Sequence, residues 1–169
     1  MRKSYYYITI PIGIVDKEFA MLVSKRCQYA LRAVFELAKH YGQYPLKAAQ
    51  IAESQAIPVR FLEVILCELK KAGFVKSQRG NAGGYLLAIP PEKLTVGDLI
   101  RFIQGPFGPV SCVIGDSQES CPLYGDCAFM PMWEKVQKSI NGIYDNTTYR
   151  ELVDQERRKE ERYVPSYSI

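Results

Sequence analysis

The sequence predicts a mainly α-helical chain with one small β-hairpin, and three observations lead there. Apolar residues recur at spacings of three and four through most of the chain. Two short β-type runs, residues 74–77 and 85–89, flank a glycine-rich connection. Gly, Pro, Ser and Asp then dominate residues 105–128, which leaves one long loop in an otherwise helical second half.

Taken in order, residues 24–41, SKRCQYALRAVFELAKHY, put Tyr29, Ala30, Ala33, Val34, Leu37, Ala38 and Tyr41 on one helical face. Ser24 is the expected N-cap and Gly42 the stop, with Cys27 off the apolar face and His40 ending the helix. KAAQIAES, residues 47–54, makes a short second helix that packs Ala48, Ile51 and Ala52. Pro58 takes the first turn of a third, PVRFLEVILCELKKAG, whose buried stripe is Leu62, Ile65, Leu66 and Leu69. Cys67 is read as a small packing residue of that helix, Gly73 closes it, and Arg60, Glu63, Lys70 and Lys71 form its polar face.

The hairpin follows, with its tip at residues 79–84. Thr95 opens a fourth helix, TVGDLIRFIQG, in which Asp98 answers the cap three residues on and Leu94 staples onto Leu99. Beyond the loop, Trp133, Val136, Ile140, Ile143 and Tyr144 recur at helical spacing in residues 130–144. A last helix starts at Thr147 or Thr148 and carries Leu152 and Val153, and the closing EERYVPSYSI reads as frayed. Three helices followed by a hairpin is the order of a winged helix-turn-helix. The chain thus divides into an N-terminal extension (1–20), a winged helix-turn-helix (21–91), a connecting helix (92–105), a cysteine loop (106–128), a long helix with a C-terminal helix (129–160) and a flexible tail (161–169).

Composition narrows the function. With 169 residues, 47% of them hydrophobic, the chain can bury a core. No apolar run reaches the roughly 18 to 20 residues of a membrane span. The best candidate, YYYITIPIGIV at residues 5–15, is interrupted by Thr9, Pro11 and Gly13. It follows Arg2 and Lys3, but Asp16, Lys17 and Glu18 stand where a leader's cleavage site would lie, so an extension or an upstream start is expected rather than a secretory leader. Five cysteines, an odd number with three in one loop, fit a cytoplasmic ligand site better than a disulfide framework. Residues 21–91 carry ten Lys/Arg against four Asp/Glu, and residues 92–169 carry nine against twelve. A basic first half points to an anionic partner. No Ser/His/Asp, Cys/His or paired-carboxylate arrangement argues for an enzyme.

A helix-turn-helix lays its second helix in the major groove, where polar side chains reach base edges and basic groups hold phosphates. Arg60, suited to guanine, and Glu63, suited to the cytosine amino group, sit at the N-terminal end of that helix. Arg79 and Asn81 lie at the hairpin tip among Gly80, Gly83 and Gly84, more glycines than a tight turn needs. Arg79 there suits a minor groove or a phosphate. Lys25 and Arg26 are further candidates for the DNA backbone.

These residues resemble a known family. YALRAVFELA at 29–38, IAESQAIPVRFLEVILCELKKAGFVKSQRGNAGGYLLA at 51–88 and TVGDLIRFIQG at 95–105 are similar to the Rrf2 family of bacterial winged-helix transcription regulators, over about residues 21–153. The RGxxGGYxLA wing is the most specific part. The resemblance implies a homodimer on a palindromic double-stranded DNA operator, dimerising through the long helix after the cysteine loop. Some members act through a metabolic enzyme, so a protein partner is a further reading.

Cys112, Cys121 and Cys127 are separated by eight and five residues, too wide for a C-x-x-C zinc ribbon. Thiolates are the usual ligands of iron–sulfur clusters, and three on one loop can wrap one; zinc, thiol redox or an inert loop are the alternatives. The resemblance implies the cluster, two-iron or four-iron, because cluster-binding members carry three cysteines in this loop. Some of them use a histidine three residues after the last cysteine, where this chain has Met130. Others take a carboxylate from the partner's first helix, where this chain has Gln28, with Cys27 beside it. Gln28 and Cys27 of the partner chain are therefore the candidate fourth ligands.

Overall fold

A computed structural model describes residues 23–114 and 122–162. The extension 1–20, Cys121 and the tail from residue 163 on lie outside the described residues. The order is α1 (Lys25–Lys39), α2 (Ala48–Ser54), α3 (Val59–Lys71), β1 (Val75–Gln78), β2 (Gly84–Leu87), α4 (Val96–Gln104), a 3-10 turn at Ser111–Val113, α5 (Met130–Asn146) and α6 (Tyr149–Arg162).

Helix α1 is the hub, packing against α2, α3, β2, α4 and α6. Ala30, Ala33 and Ala38 are buried with Val34 and Leu37, and their short side chains let several elements approach one helix. Ser24 caps it, its hydroxyl accepting from the Cys27 amide at 3.2 Å. His40 sits at its C-terminal end, with Nδ1 3.1 Å from the Glu36 carbonyl.

Two cysteines lie on the opposite faces from those their sequence context predicts. Cys27 is fully buried, because it lies three residues before Ala30 and seven before Val34 and so extends the apolar stripe by one turn. Burial pushes its thiol up to about 11, against a smaller opposing pull from Arg26, so it is uncharged near neutrality. Cys67 is exposed, because a position two residues from both Ile65 and Leu69 falls on the far side of the helix. Native protein treated with iodoacetamide is therefore expected to be alkylated at Cys67 and protected at Cys27 until it unfolds. Equal labelling of the two, read by mass spectrometry, would contradict the packing.

The turn between α2 and α3 is a Schellman motif: the Ile57 amide donates to the Ala52 carbonyl at 2.9 Å and the Ala56 amide to the Glu53 carbonyl at 3.2 Å. Ala56 adopts φ 47°, the left-handed conformation such motifs usually give to glycine. Ala56→Gly is expected to stabilise the fold by about 1 kcal/mol, seen as a raised Tm.

Strands β1 and β2 pair antiparallel, Val75 opposite Leu87 and Gln78 opposite Gly84. Leu46 adds a third pairing, exchanging hydrogen bonds of 2.9 and 2.8 Å with Tyr85. A Cβ on Gly84 would overlap the Leu46 carbonyl, and one on Gly83 would overlap the Gln78 carbonyl. Close backbone approach inside the hairpin thus accounts for Gly83 and Gly84.

Helix α4 starts in the expected capping box, with Thr95 Oγ1 accepting from the Asp98 amide at 3.1 Å and Asp98 Oδ2 from the Thr95 amide at 3.0 Å. Burial works to raise the Asp98 carboxyl, but the Thr95 hydrogen bonds and Arg101 outweigh it and hold the group below its ordinary value. A lowered folded value means that this contribution to stability is present above about pH 4 and is lost as the pH falls through the depressed value. Asp98→Asn is expected to flatten that part of the Tm against pH profile.

The same end of α4 is knitted to the α5–α6 junction. The Val96 amide donates to Thr147 and the Tyr149 amide to Leu94, at 2.9 and 3.0 Å, and Arg101 Nη1 meets Asp145 at 2.7 Å. Tyr149 is buried against α1, and its hydroxyl donates to the Leu31 carbonyl at 3.4 Å. Helix α5, by contrast, buries none of its residues fully, while Phe129 beside its start, Met132 and Ile143 are exposed.

Candidate nucleic-acid interface and cysteine loop

Helices α2 and α3 and their tight turn form the helix-turn-helix, and β1–β2 the wing. Arg60, Glu63, Lys70 and Lys71 are all exposed on α3, and the Arg60 guanidinium lies 4.9 Å from the Phe61 ring centroid. Arg79 and Asn81 are exposed at the wing tip and Lys25 at the start of α1. Arg26 is exposed too, but it is ion-paired with Glu68, so it ties α1 to α3. These side chains are spread over three separate elements of the basic half, an arrangement that allows one helix to read bases while the others hold the backbone.

One feature of α3 escaped the sequence reading. At 100° per residue, Arg60, Val64, Cys67 and Lys71 form the line opposite the buried Leu62, Ile65, Leu66 and Leu69, and all four are exposed. Two of the four are not polar. Projecting the helix from its buried stripe would have shown this, whereas treating Cys67 as packing hid it.

The cysteine loop runs from α4 to α5. Cys112 sits in the 3-10 turn and Cys127 three residues before α5, both half-buried free thiols. The Cys127 carbonyl accepts from the Met130 amide at 3.1 Å, which ties the backbone of this residue to the start of α5. Cys112 borders a cavity of about 490 Å³ whose walls include Tyr124, Met130, Glu134 and Gln137. Gln137 locks loop to helix: its Nε2 donates at 3.0 Å to the Phe107 carbonyl and at 3.0 Å to Asn141, while its Oε1 is buried without a hydrogen-bond partner. Phe107 also packs on Tyr144, ring centroids 5.3 Å apart.

Among the described residues, no three His, Cys, Asp or Glu side chains come close enough together to hold a metal ion. Cys112 lies in the 3-10 turn and Cys127 just before α5, and Cys121 lies outside the described residues. Two half-buried free thiols, one of them Cys112 beside a cavity that Gln137 with its orphaned amide oxygen also lines, are donors of the type that holds an iron–sulfur cluster. Gln28 is half-buried, with Nε2 donating to the Val23 carbonyl at 2.8 Å. Cys27 is sealed in the core, so it is not placed to reach a cluster on another chain.

Three helices, a wing and a basic reading helix define a winged-helix DNA-binding protein. The chain belongs to the Rrf2 family, described as iron-dependent transcriptional regulators, whose profile matches residues 23–155. It is a DNA-binding transcriptional regulator and not an enzyme. It is 32% identical over 144 residues to the HTH-type transcriptional regulator CymR of Bacillus subtilis, covering 85% of this chain and 98% of that one. The structure of CymR, the global cysteine regulator of B. subtilis, matches with a TM-score of 0.67 at 30% identity, over 79% of this chain and 97% of that one. IscR of T. potens matches with a TM-score of 0.65 at 35% identity, over 80% and 88%.

Proposed function

We propose that this is a cytoplasmic, homodimeric regulator whose affinity for a double-stranded operator is set by an iron–sulfur cluster on Cys112, Cys121 and Cys127. The observation that carries the reading is the attachment of the cysteine loop to α5 through Cys127 and Gln137. Helix α5, with no fully buried residue and with Met132 and Ile143 exposed, has the character of a helix that meets a second copy. No helix among the described residues is long and apolar enough to cross a membrane.

Bound there, a cluster supplies a redox-active and ligand-exchanging centre, either two-iron or four-iron. The residues do the rest. Cys112 would hold the cluster from the 3-10 turn and Cys127 from just before α5, and Gln137 ties α5 to the α4 exit through the Phe107 carbonyl. Arg101 and the Thr95 region carry any shift of α5 to α4, and Tyr149 carries it to α1, which packs on the reading helix α3. Gln28 of the partner chain is the remaining candidate for a fourth ligand.

The test compares anaerobically purified protein on promoter fragments before and after removal of iron by a chelator. A change in affinity that returns on cluster reconstitution is expected, and identical binding would overturn the reading. The similarity to a regulator named for cysteine favours a second reading, a thiol-controlled repressor of the same fold. That reading requires a colourless protein whose operator binding follows thiol oxidation. A protein purified without oxygen that binds no operator would point instead to a partner protein.

A further inference from the structure

Helix α3 carries an apolar patch where a purely polar reading surface was expected. Val64 is 58% exposed and Phe61 48% exposed. They open into a groove of about 370 Å³ between α1 and α3, completed by Tyr29 and Ile65 and edged by Lys25 and Arg26. Isolated surface apolar residues need no explanation, but an apolar groove with a cationic edge on the reading helix does.

Val64 lies in the middle of the outermost line of α3, one turn after Arg60 and one turn before Cys67, with Lys71 closing the line. In a helix laid in the major groove this line goes deepest. The major-groove edge presents one apolar group, the 5-methyl of thymine, which aliphatic side chains contact. Arg26 is paired with Glu68, which leaves Lys25 at the groove's edge and Arg60 and Lys71 on the outermost line of α3 as the cations that suit an anionic partner, and the exposed isopropyl group suits a methyl-bearing one. Duplex DNA with a thymine under the helix centre meets both requirements.

We propose that Val64 is a specificity-determining residue that recognises the 5-methyl group of a thymine in each operator half-site, between the base pairs met by Arg60 and the phosphates met by Lys71. The proposal rests on the DNA-binding reading and is independent of the cluster. It gives Val64 a role that the charged residues of α3 cannot fill, since a methyl group offers no hydrogen bond.

The probe is a duplex selected from a random pool by the wild-type protein, followed by single dT→dU replacements, each of which removes one methyl group and leaves base pairing intact. Replacing the contacted thymine in one half-site is expected to weaken wild-type binding about fourfold, the worth of one buried methyl. The same replacement is expected to be without effect on Val64→Ala, whose salt dependence stays that of wild type because no phosphate contact is lost. Val64 is exposed and outside the core, so the variant folds, which its circular dichroism and Tm check.

Absence of any sensitive thymine overturns the assignment. So does an equal dT→dU loss in Val64→Ala and wild type, which would give the patch to another occupant, such as a folded-back segment or a protein. Failure to select any duplex would sink the DNA-binding reading itself, a result distinct from selection of a duplex indifferent to its methyl groups.

Discussion

Replacing Cys112, Cys121 and Cys127 together by alanine is expected to shift operator affinity by about five- to 150-fold, the range of a coupling of roughly 1 to 3 kcal/mol. The effect arises far from the reading helix, so it must travel through packed elements. Here they are contiguous: Phe107 to Gln137, α5 to Asp145 and Arg101, the α5–α6 junction to Tyr149, and Tyr149 to α1. Of the two described positions, neither change removes a core side chain, since Cys112 and Cys127 are only half-buried. The variant should therefore melt close to cluster-stripped wild type, and electrophoretic mobility shifts would then report coupling rather than unfolding. Equal operator affinity of cluster-loaded wild type and the triple variant would contradict the expectation.

The largest effect on stability is expected at Tyr149. It is among the largest fully buried side chains, and its backbone amide and ring together dock the C-terminal helices on α1 and α4. Tyr149→Ala leaves a large cavity there and is expected to cost about 3 to 5 kcal/mol. Tyr149→Phe keeps the ring and loses only the long bond to Leu31, so it is expected to cost about 1 kcal/mol or less. Urea denaturation of the two variants measures both. A Tyr149→Ala variant as stable as Tyr149→Phe would mean that α6 does not depend on this contact.

The helices were legible because each carries its own local signal. Ser24 and Thr95 cap where their side chains predict, and the Leu62–Leu69 stripe is buried as spaced. The wing was legible from its glycines, though the reason for two of them was not. The close approach of Gly84 to Leu46 comes from a pairing between residues distant in sequence, which local pattern does not reveal. The two thiols misplaced by the sequence reading share one cause. Cysteine is a small hydrophobe that is also tolerated at the surface, so residue type alone does not declare which helix face it occupies, and only the geometry of its neighbours does. Tyr149 was missed because it sits at the very start of its helix, where periodicity has no preceding turn to measure against. The loop thiols were legible as a group in sequence, but which groups meet around them depends on tertiary placement.

The most direct test of the central claim is an anaerobic purification in which the visible spectrum, the iron and sulfide content and the operator affinity are measured on the same sample, for wild type and for the triple Cys→Ala variant. The account predicts a coloured wild type with iron and sulfide in cluster proportion, a colourless variant, and different operator affinities for the two. A colourless, iron-free wild type that binds its operator as tightly as the variant would contradict it.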